Sequence, residues 1–260
     1  MNFFKYQGTG NDFLLMEDQK ERLSPDQIQK LCHRRYGVGA DGVVYYQKGA
    51  PTLITIFNAD GSHAPMCGNA LRCVVQHLID EGDTQTKWTL QVGSQTYHAF
   101  YQQNQISVEM GVPQLLSPKQ ALENVSFYHI DSGTRHLVIF GEQLEEATFL
   151  KKARWLRKHP RFSPLGVNVN FATLISPSYF HVRTYEKGVE AETFSCGTGG
   201  AAVCMAAWKE YGLTGSIEVE FHSKERLRYD LLIDGHSLQG MNMKGKAKRV
   251  FAGTWEICHL

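Results

Sequence analysis

Two cysteines stand in matched surroundings at distant points of the chain. Cys67 is followed by Gly68-Asn69 and Cys196 by Gly197-Thr198, and small or apolar residues that favour a helix come next in both places. Each thiol is therefore predicted at a helix N-terminus, where the dipole and unpaired N–H groups stabilise a thiolate and lower the thiol pKa. The glycine after each cysteine leaves those N–H groups open to a ligand carboxylate. Asn69 and Thr198 are also of types that cap helices.

Two such thiols suit the inversion of a carbon stereocentre. A thiolate removes a proton from one face of an α-carbon while a thiol delivers a proton to the other face, and the two roles swap with the hand of the substrate. Two helix N-termini stabilise the negative charge that develops on the substrate carboxylate, as an oxyanion hole does. The expected substrate is an amino acid, bound as a small molecule, and the chemistry requires neither a metal nor a cofactor.

The other cysteines lack this environment. They form no C-x-x-C pair suited to zinc and are too sparse for a disulfide framework. We expect all six cysteines to be reduced thiols, and the remaining four to be packing residues: Cys32, Cys73, Cys204 and Cys258.

Composition excludes several classes of partner. With 27 basic and 26 acidic side chains the net charge is +1, so no strong field attracts nucleic acid or anionic lipid. No apolar run of about 18 residues occurs, and the N-terminus does not resemble a signal peptide. We expect a cytoplasmic protein with no nucleic-acid or membrane partner.

The pattern of apolar residues predicts short strands joined by glycine-rich turns, with few helices. Segments with strand character are 53–57, 87–92, 106–110 and 180–185. Helices are predicted over 25–34, 68–80, 143–159 and 197–211.

A weak internal repeat divides the chain. Residues 3–16 match 127–140 as strand, glycine turn and apolar strand, and the segment 57–69 is echoed by 185–198. Chance likeness between short strand-turn-strand segments is the alternative explanation. A duplication predicts an N-terminal lobe over 1–120 that carries Cys67 and a C-terminal lobe over 121–260 that carries Cys196.

At these same residues the sequence resembles the diaminopimelate epimerase family, nearly end to end. The segments that carry the resemblance are Gly8–Phe13, Gly37–Gly42, Asn58–Ser62, Met66–Asn69 and Glu192–Gly199. The Gly-Asn after the first cysteine separates the chain from proline racemases, in which Gly-His follows it.

The resemblance implies an α/β fold of two pseudo-symmetric lobes, each a β-barrel-like sheet around a central helix, with the active site in the cleft between them. It implies an isomerase that interconverts LL- and meso-diaminopimelate on the route to lysine and peptidoglycan, without a cofactor. A homodimer is common among such folds.

The resemblance also assigns roles to residues. Cys67 and Cys196 become the acid/base pair, with His136 and Glu186 beside them to tune their protonation. The substrate-binding residues that it implies are Asn11, Asn58, Gly68, Asn69, Asn168, Lys187, Gly197 and Thr198.

Three departures from the family pattern bear on substrate choice. Lys187 replaces the usual arginine, so a point charge stands where a planar bidentate clamp is expected. Thr134-Arg135 precedes His136 in place of Asn-Pro, and the loop 189–192 is one residue longer than the common form.

Other functions stay open at this point. These are a racemase of another amino acid, such as glutamate or histidine, a binding protein without turnover, and a thiol-disulfide redox protein.

Overall fold

A computed structural model of the protein describes residues 1–18 and 22–256. The chain forms two compact units: Met1–Val108 together with the segment from Gly245 onward, and Glu109–Lys244. Within the described residues no helix is long and apolar enough to cross a membrane.

The elements of the first half of the chain are β1 (Asn2–Gly8), β2 (Asn11–Glu17), α1 (Pro25–Cys32), β3 (Gly42–Gln47), β4 (Thr52–Asn58), β5 (His63–Ala64), α2 (Gly68–Asp80), β6 (Lys87–Val92), β7 (Gln95–Gln102) and β8 (Gln105–Glu109). Those of the second half are β9 (Gln114–Leu122), β10 (Val125–Asp131), β11 (Arg135–Phe140), α3 (Glu146–Lys158), β12 (Asn168–Ser176), β13 (Tyr179–Tyr185), β14 (Glu192–Thr193), α4 (Gly197–Tyr211), β15 (Ser216–Glu220), β16 (Arg226–Asp234), β17 (Ser237–Gly245) and β18 (Lys248–Thr254).

The two halves repeat one pairing pattern. In the first, β1 and β2 form a hairpin, β2 runs parallel to β3, β4 pairs antiparallel with β3 and β5, and β4 runs parallel to β6. In the second, β10 to β15 repeat these steps in the same order. A shared sequence of parallel and antiparallel steps confirms the internal duplication and the predicted α/β class with two similar lobes.

The sheet of each repeat is completed by a strand that follows the other repeat in the chain. β9 follows the first repeat and pairs with β10, the first strand of the second repeat. β18, the last described strand, follows the second repeat and pairs with β1. The units therefore divide after Val108 and before Gly245 and differ from the predicted lobes 1–120 and 121–260. The sequence repeat relates hairpins whose strands are close in the sequence. It therefore gives no information on the long-range pairings of β9 and β18. Cys67 lies in the first unit and Cys196 in the second.

A buried helix lies against the sheet of each unit. Every residue of α2 from Gly68 to Val75 is buried, and so is every residue of α4 from Gly199 to Ala207. Burial on all sides explains why α4 is built from glycine, alanine and other small residues, which let strands approach it closely. Both helices have the predicted bounds.

The other two helices are shorter than predicted. α1 begins after a capping box of Ser24 and Gln27 and ends at Cys32, and α3 begins at Glu146. α3 ends before His159 because the residue that precedes a proline avoids helical geometry.

All five cysteines in the described part of the chain are free thiols. Cys32, Cys73 and Cys204 are buried in packed surroundings, which confirms the prediction for them. Cys258 lies outside the described residues.

The close packing of α4 makes a stability prediction. A Cβ added to Gly200 would lie 2.3 Å from the Tyr229 hydroxyl oxygen, which donates to the Gly197 carbonyl at 2.8 Å. Gly200→Ala is expected to lower the free energy of unfolding by about 1–3 kcal/mol, measured by urea denaturation. Gly141→Ala is the control, since a Cβ there meets nothing within 4 Å, and its effect should stay within about 0.5 kcal/mol. Equal effects of the two substitutions would contradict the packing argument.

Candidate active site

Both cysteines are themselves the N-cap residues of the buried helices. Cys67 has φ −150° and ψ 107°, and Cys196 has φ −134° and ψ 105°, so each chain arrives extended and then turns into helix. The predicted position of both thiols at a helix N-terminus is confirmed. Asn69 and Thr198 lie one residue inside the helix, so their expected role as caps is wrong.

The thiol of Cys67 lies among amide side chains. It is half-buried and donates to the Asn11 amide oxygen, with Sγ and Oδ1 3.7 Å apart. The Asn69 amide donates to the same oxygen at 3.2 Å, and the Asn11 amide nitrogen donates to Asp41 at 2.8 Å. The structure therefore brings Cys67, Asn11 and Asn69 together, and Asp41 fixes the orientation of Asn11.

A buried arginine, not expected from the sequence, supports this cluster. Arg72 has no exposed surface, and its Nη2 donates to the Thr9 hydroxyl at 2.7 Å and to the Asn69 amide oxygen at 2.9 Å. Thr9 and Gly10 form the left-handed two-residue turn of the β1–β2 hairpin, with φ 62° and 79°. Arg72 thus ties the turn before Asn11 to the start of α2. The available signal was a basic residue within the otherwise apolar segment 70–75.

The thiol of Cys196 has a different environment. Its Sγ accepts the Gly199 N–H at 3.4 Å and lies 3.4 Å from the Thr198 hydroxyl oxygen. Burial above all, then the charge of Glu186 and the hydrogen bond to it, raise the pKa of Cys196 well above its usual value. Thr198 and the Gly199 N–H oppose this less strongly. The predicted lowering of the thiol pKa is therefore wrong for Cys196, because desolvation and a carboxylate outweigh the helix terminus.

His136 reaches Cys196 through a hydroxyl. Its Nε2 lies 2.8 Å from the Thr134 oxygen and 3.1 Å from the Thr198 oxygen, and Thr198 in turn contacts the Cys196 sulfur. Burial lowers the pKa of His136 to about 3, so the ring is neutral at physiological pH. The Asn170 amide nitrogen faces Nδ1 at 3.0 Å, which assigns the ring proton to Nε2.

Asn170 is another residue that the sequence argument did not identify. Its amide oxygen accepts the Thr184 hydroxyl at 3.0 Å and its amide nitrogen also donates to the Leu137 carbonyl, so its orientation is fixed. A Cβ on Gly199 would lie 2.5 Å from that oxygen, which shows how tightly α4 packs here.

Asn168 connects the region of His136 with Lys187. Its amide nitrogen donates to the Thr134 hydroxyl at 3.3 Å and its oxygen accepts the Lys187 backbone N–H at 2.8 Å. The Lys187 ammonium donates to the Leu165 carbonyl at 2.9 Å. Glu186, the residue before Lys187, accepts the Thr193 hydroxyl at 3.0 Å.

Asn58 stands apart from these contacts. It is exposed, and both its amide nitrogen and its backbone N–H donate to Ser62, each at 2.9 Å. Asn58 thus closes the turn between β4 and β5, and its predicted role in binding stays a prediction.

Solved structures share this fold. A PhzF-family phenazine biosynthesis protein from Bacillus anthracis matches with a TM-score of 0.77 at 14% identity, over 99% of each chain. A hydroxyproline epimerase from Agrobacterium vitis matches with a TM-score of 0.73 at 14% identity, over 97% of this chain and 91% of that one. These likenesses place the chain in the class of proteins with this duplicated, two-lobed α/β fold.

The sequence comparisons identify the family within that class. A family model described as diaminopimelate epimerase matches residues 3–116 and 128–250, which correspond to the two repeats. A diaminopimelate epimerase from Synechococcus sp. (strain JA-2-3B'a(2-13)) is 33% identical over 98% of each chain, and one from Aquifex aeolicus is 32% identical over 97% of each. The chain belongs to the diaminopimelate epimerase family and is an isomerase.

The buried ring of His136 predicts a pH dependence of stability. Its pKa of about 3 in the folded protein lies below the value of about 6.5 expected in the unfolded chain, so the unfolded state binds the proton more readily between these values. The stabilisation is complete above about pH 6.5 and is lost as the pH falls toward 3.

Urea denaturation of the wild type and of His136→Gln at several pH values checks this. The free energy of unfolding should fall less steeply in the variant than in the wild type between pH 6.5 and pH 4. Some slope will remain in the variant because burial also lowers the pKa of His77, to about 4. Equal slopes in the two proteins would contradict the argument.

Proposed function

We propose that this protein interconverts LL- and meso-diaminopimelate by proton exchange at one α-carbon, with Cys67 and Cys196 as the acid/base pair. The observation that carries the proposal is the pair of cysteine N-caps, one at the start of the buried helix in each repeat. Membership of the diaminopimelate epimerase family supports the substrate.

Proton exchange needs one thiolate and one thiol at the start of each turnover. The raised pKa of Cys196 and its hydrogen bond to Glu186 favour the protonated form, so Cys196 starts as the acid. Cys67, which is less buried and whose hydrogen bond to Asn11 is with a neutral amide rather than a carboxylate, is then assigned the part of the base. The Cys67 thiolate takes the α-proton and becomes a thiol while Cys196 gives its proton to the opposite face of the carbon. For the other isomer the roles are exchanged.

The reacting carboxylate binds to backbone N–H groups at the helix starts. The first N–H groups of an α-helix have no acceptor within the helix, and Gly68-Asn69 and Gly197-Thr198 occupy this turn in α2 and α4. These N–H groups stabilise the enediolate-like charge that develops as the α-proton leaves.

His136 and Glu186 control the protonation of Cys196. The Nε2–H of His136 donates to the Thr198 hydroxyl, which leaves that hydroxyl free to donate to the sulfur once Cys196 is a thiolate. Glu186 accepts a hydrogen bond from the thiol form instead. Asn11, Asn58, Asn168 and Lys187 bind the remaining polar groups of the substrate.

The proposal includes a cytoplasmic location and a homodimer with a small-molecule substrate, as expected for this fold. Light scattering on the purified protein checks the oligomeric state, and it should give about twice the chain mass of 29.4 kDa. A mass equal to that of one chain would reject the dimer.

The substrate is tested by incubation with LL-diaminopimelate in deuterated water. Isomerisation to the meso form should accompany uptake of deuterium at the inverted carbon, because the delivered proton comes from a thiol that exchanges with solvent. Glutamate and histidine serve as comparison substrates in parallel reactions. Exchange of their α-proton, without any exchange or isomerisation of diaminopimelate, would reject the proposed substrate in favour of another racemase.

Replacement of either cysteine tests the pair. Cys67→Ala and Cys196→Ala are each expected to lower kcat by a factor of about 10² or more, since each removes one of two obligatory proton carriers. Cys73→Ala is the matched control, because Cys73 lies further along α2, away from its first turn, and is fully buried. Turnover that survives either active-site substitution would exclude the two-thiol mechanism, and activation by oxidant would favour a redox protein.

A further inference from the structure

Two cationic side chains in the second unit pack over the same glycine. A Cβ built on Gly166 would lie 2.9 Å from Arg157 Nη1 and 3.1 Å from Lys187 Cδ. The guanidinium of Arg157, from α3, is therefore a neighbour of the Lys187 side chain. Gly166 has φ +68° and accommodates both groups because it lacks a side chain.

A continuous set of polar contacts leads from Cys196 to this pair. Thr198 contacts the sulfur and lies 3.4 Å from the Thr134 hydroxyl, Thr134 accepts the Asn168 amide, and Asn168 accepts the Lys187 N–H. The cationic pair thus lies at the far end of the polar groups that surround the reacting thiol. That is where the second charged end of an extended substrate would need a partner.

The Arg157 guanidinium is already bound to a carboxylate of this chain. Glu190 Oε1 accepts Arg157 Nη2 at 2.6 Å and the Gly188 backbone N–H at 3.2 Å. Glu190 stands on the exposed turn after Lys187 and has a left-handed φ of 57°, which is uncommon for a residue with a side chain. One guanidinium nitrogen and one backbone N–H therefore form a binding place for a carboxylate oxygen.

Glu190 does not use every hydrogen-bond donor of the Arg157 guanidinium. Arg157 Nε is buried and has no hydrogen-bond partner among the described residues, so Glu190 engages one nitrogen of the fork. A guanidinium binds a carboxylate most strongly through two parallel N–H donors. The Lys187 ammonium does not supply the missing interaction, because it donates to the Leu165 carbonyl.

We infer that Arg157 is a specificity-determining residue that binds the second carboxylate of the substrate, and that Glu190 is an internal placeholder which that carboxylate displaces. The inference rests on the proposed function, since diaminopimelate carries a carboxylate at each end. It explains how the chain can bind a carboxylate through a planar guanidinium although residue 187 is a lysine, because the guanidinium comes from α3 instead. The longer loop 189–192 supplies the placeholder.

Two substitutions that delete the same ion pair separate this role from a structural one. Arg157→Gln removes the binding group and should raise KM for diaminopimelate about ten-fold or more, with kcat changed little, because a charged hydrogen-bonding partner of the substrate is lost. Glu190→Gln removes the competitor and should lower KM several-fold. Arg157→Lys keeps the charge without the fork and should give an intermediate KM, and it also serves if Arg157→Gln does not fold.

Steady-state kinetics of the wild type and the three variants distinguish a role in binding from a structural one. Thermal unfolding midpoints confirm that each protein is folded. If the ion pair only ties the loop to α3, its two deletions will shift KM in the same direction, and that result would overturn the inference. An unchanged KM in Arg157→Gln and Arg157→Lys would overturn it as well. A wild type that does not turn over diaminopimelate would instead reject the proposed function and this inference with it.

Discussion

The position of a cysteine as the cap of a buried helix is the constraint on which the rest of the structure depends. A cap residue is extended while the next residue is helical, so the sulfur is fixed at the point where unpaired N–H groups emerge. The helix behind it is buried and cannot shift without disturbing the sheet around it. Burial of α2 and α4 therefore does more than stabilise each unit, because it holds each cysteine sulfur and the neighbouring N–H groups in one geometry.

A nearly symmetric fold gives its two thiols unequal surroundings. Cys67 lies beside the Asn11 amide, with the buried Arg72 on the same helix. Cys196 is more deeply buried and lies beside a carboxylate. Its helix has no counterpart of Arg72, because the equivalent position, five residues after the cysteine, is Ala201. Unequal surroundings separate the pKa values of two thiols, which favours a state with one thiol and one thiolate. The proposed two-thiol exchange requires a state of this kind.

The departures from the family pattern fit the same network. Thr134, in place of an amide, contacts His136, Thr198 and Asn168, so its hydroxyl joins Asn168 to the His136–Thr198 pair. Lys187 keeps its backbone contact with Asn168 while its ammonium turns to a carbonyl. These changes lie away from the sulfur of Cys196 itself.

The sequence by itself determined the duplication, the bounds of both central helices, and the placement of Cys67 and Cys196 at their first turns. These features follow from local patterns, since helix periodicity and the Cys-Gly step act over a few residues. Only the tertiary structure decided which unit β9 and β18 complete, because strand pairing over 252 positions, as between Asn2 and Thr254, leaves no local trace. It also decided that burial and Glu186 raise the pKa of Cys196, and that Arg72 and Asn170 orient the site. The pKa of a thiol depends on the charge and solvent around it, and the fold alone brings those groups together.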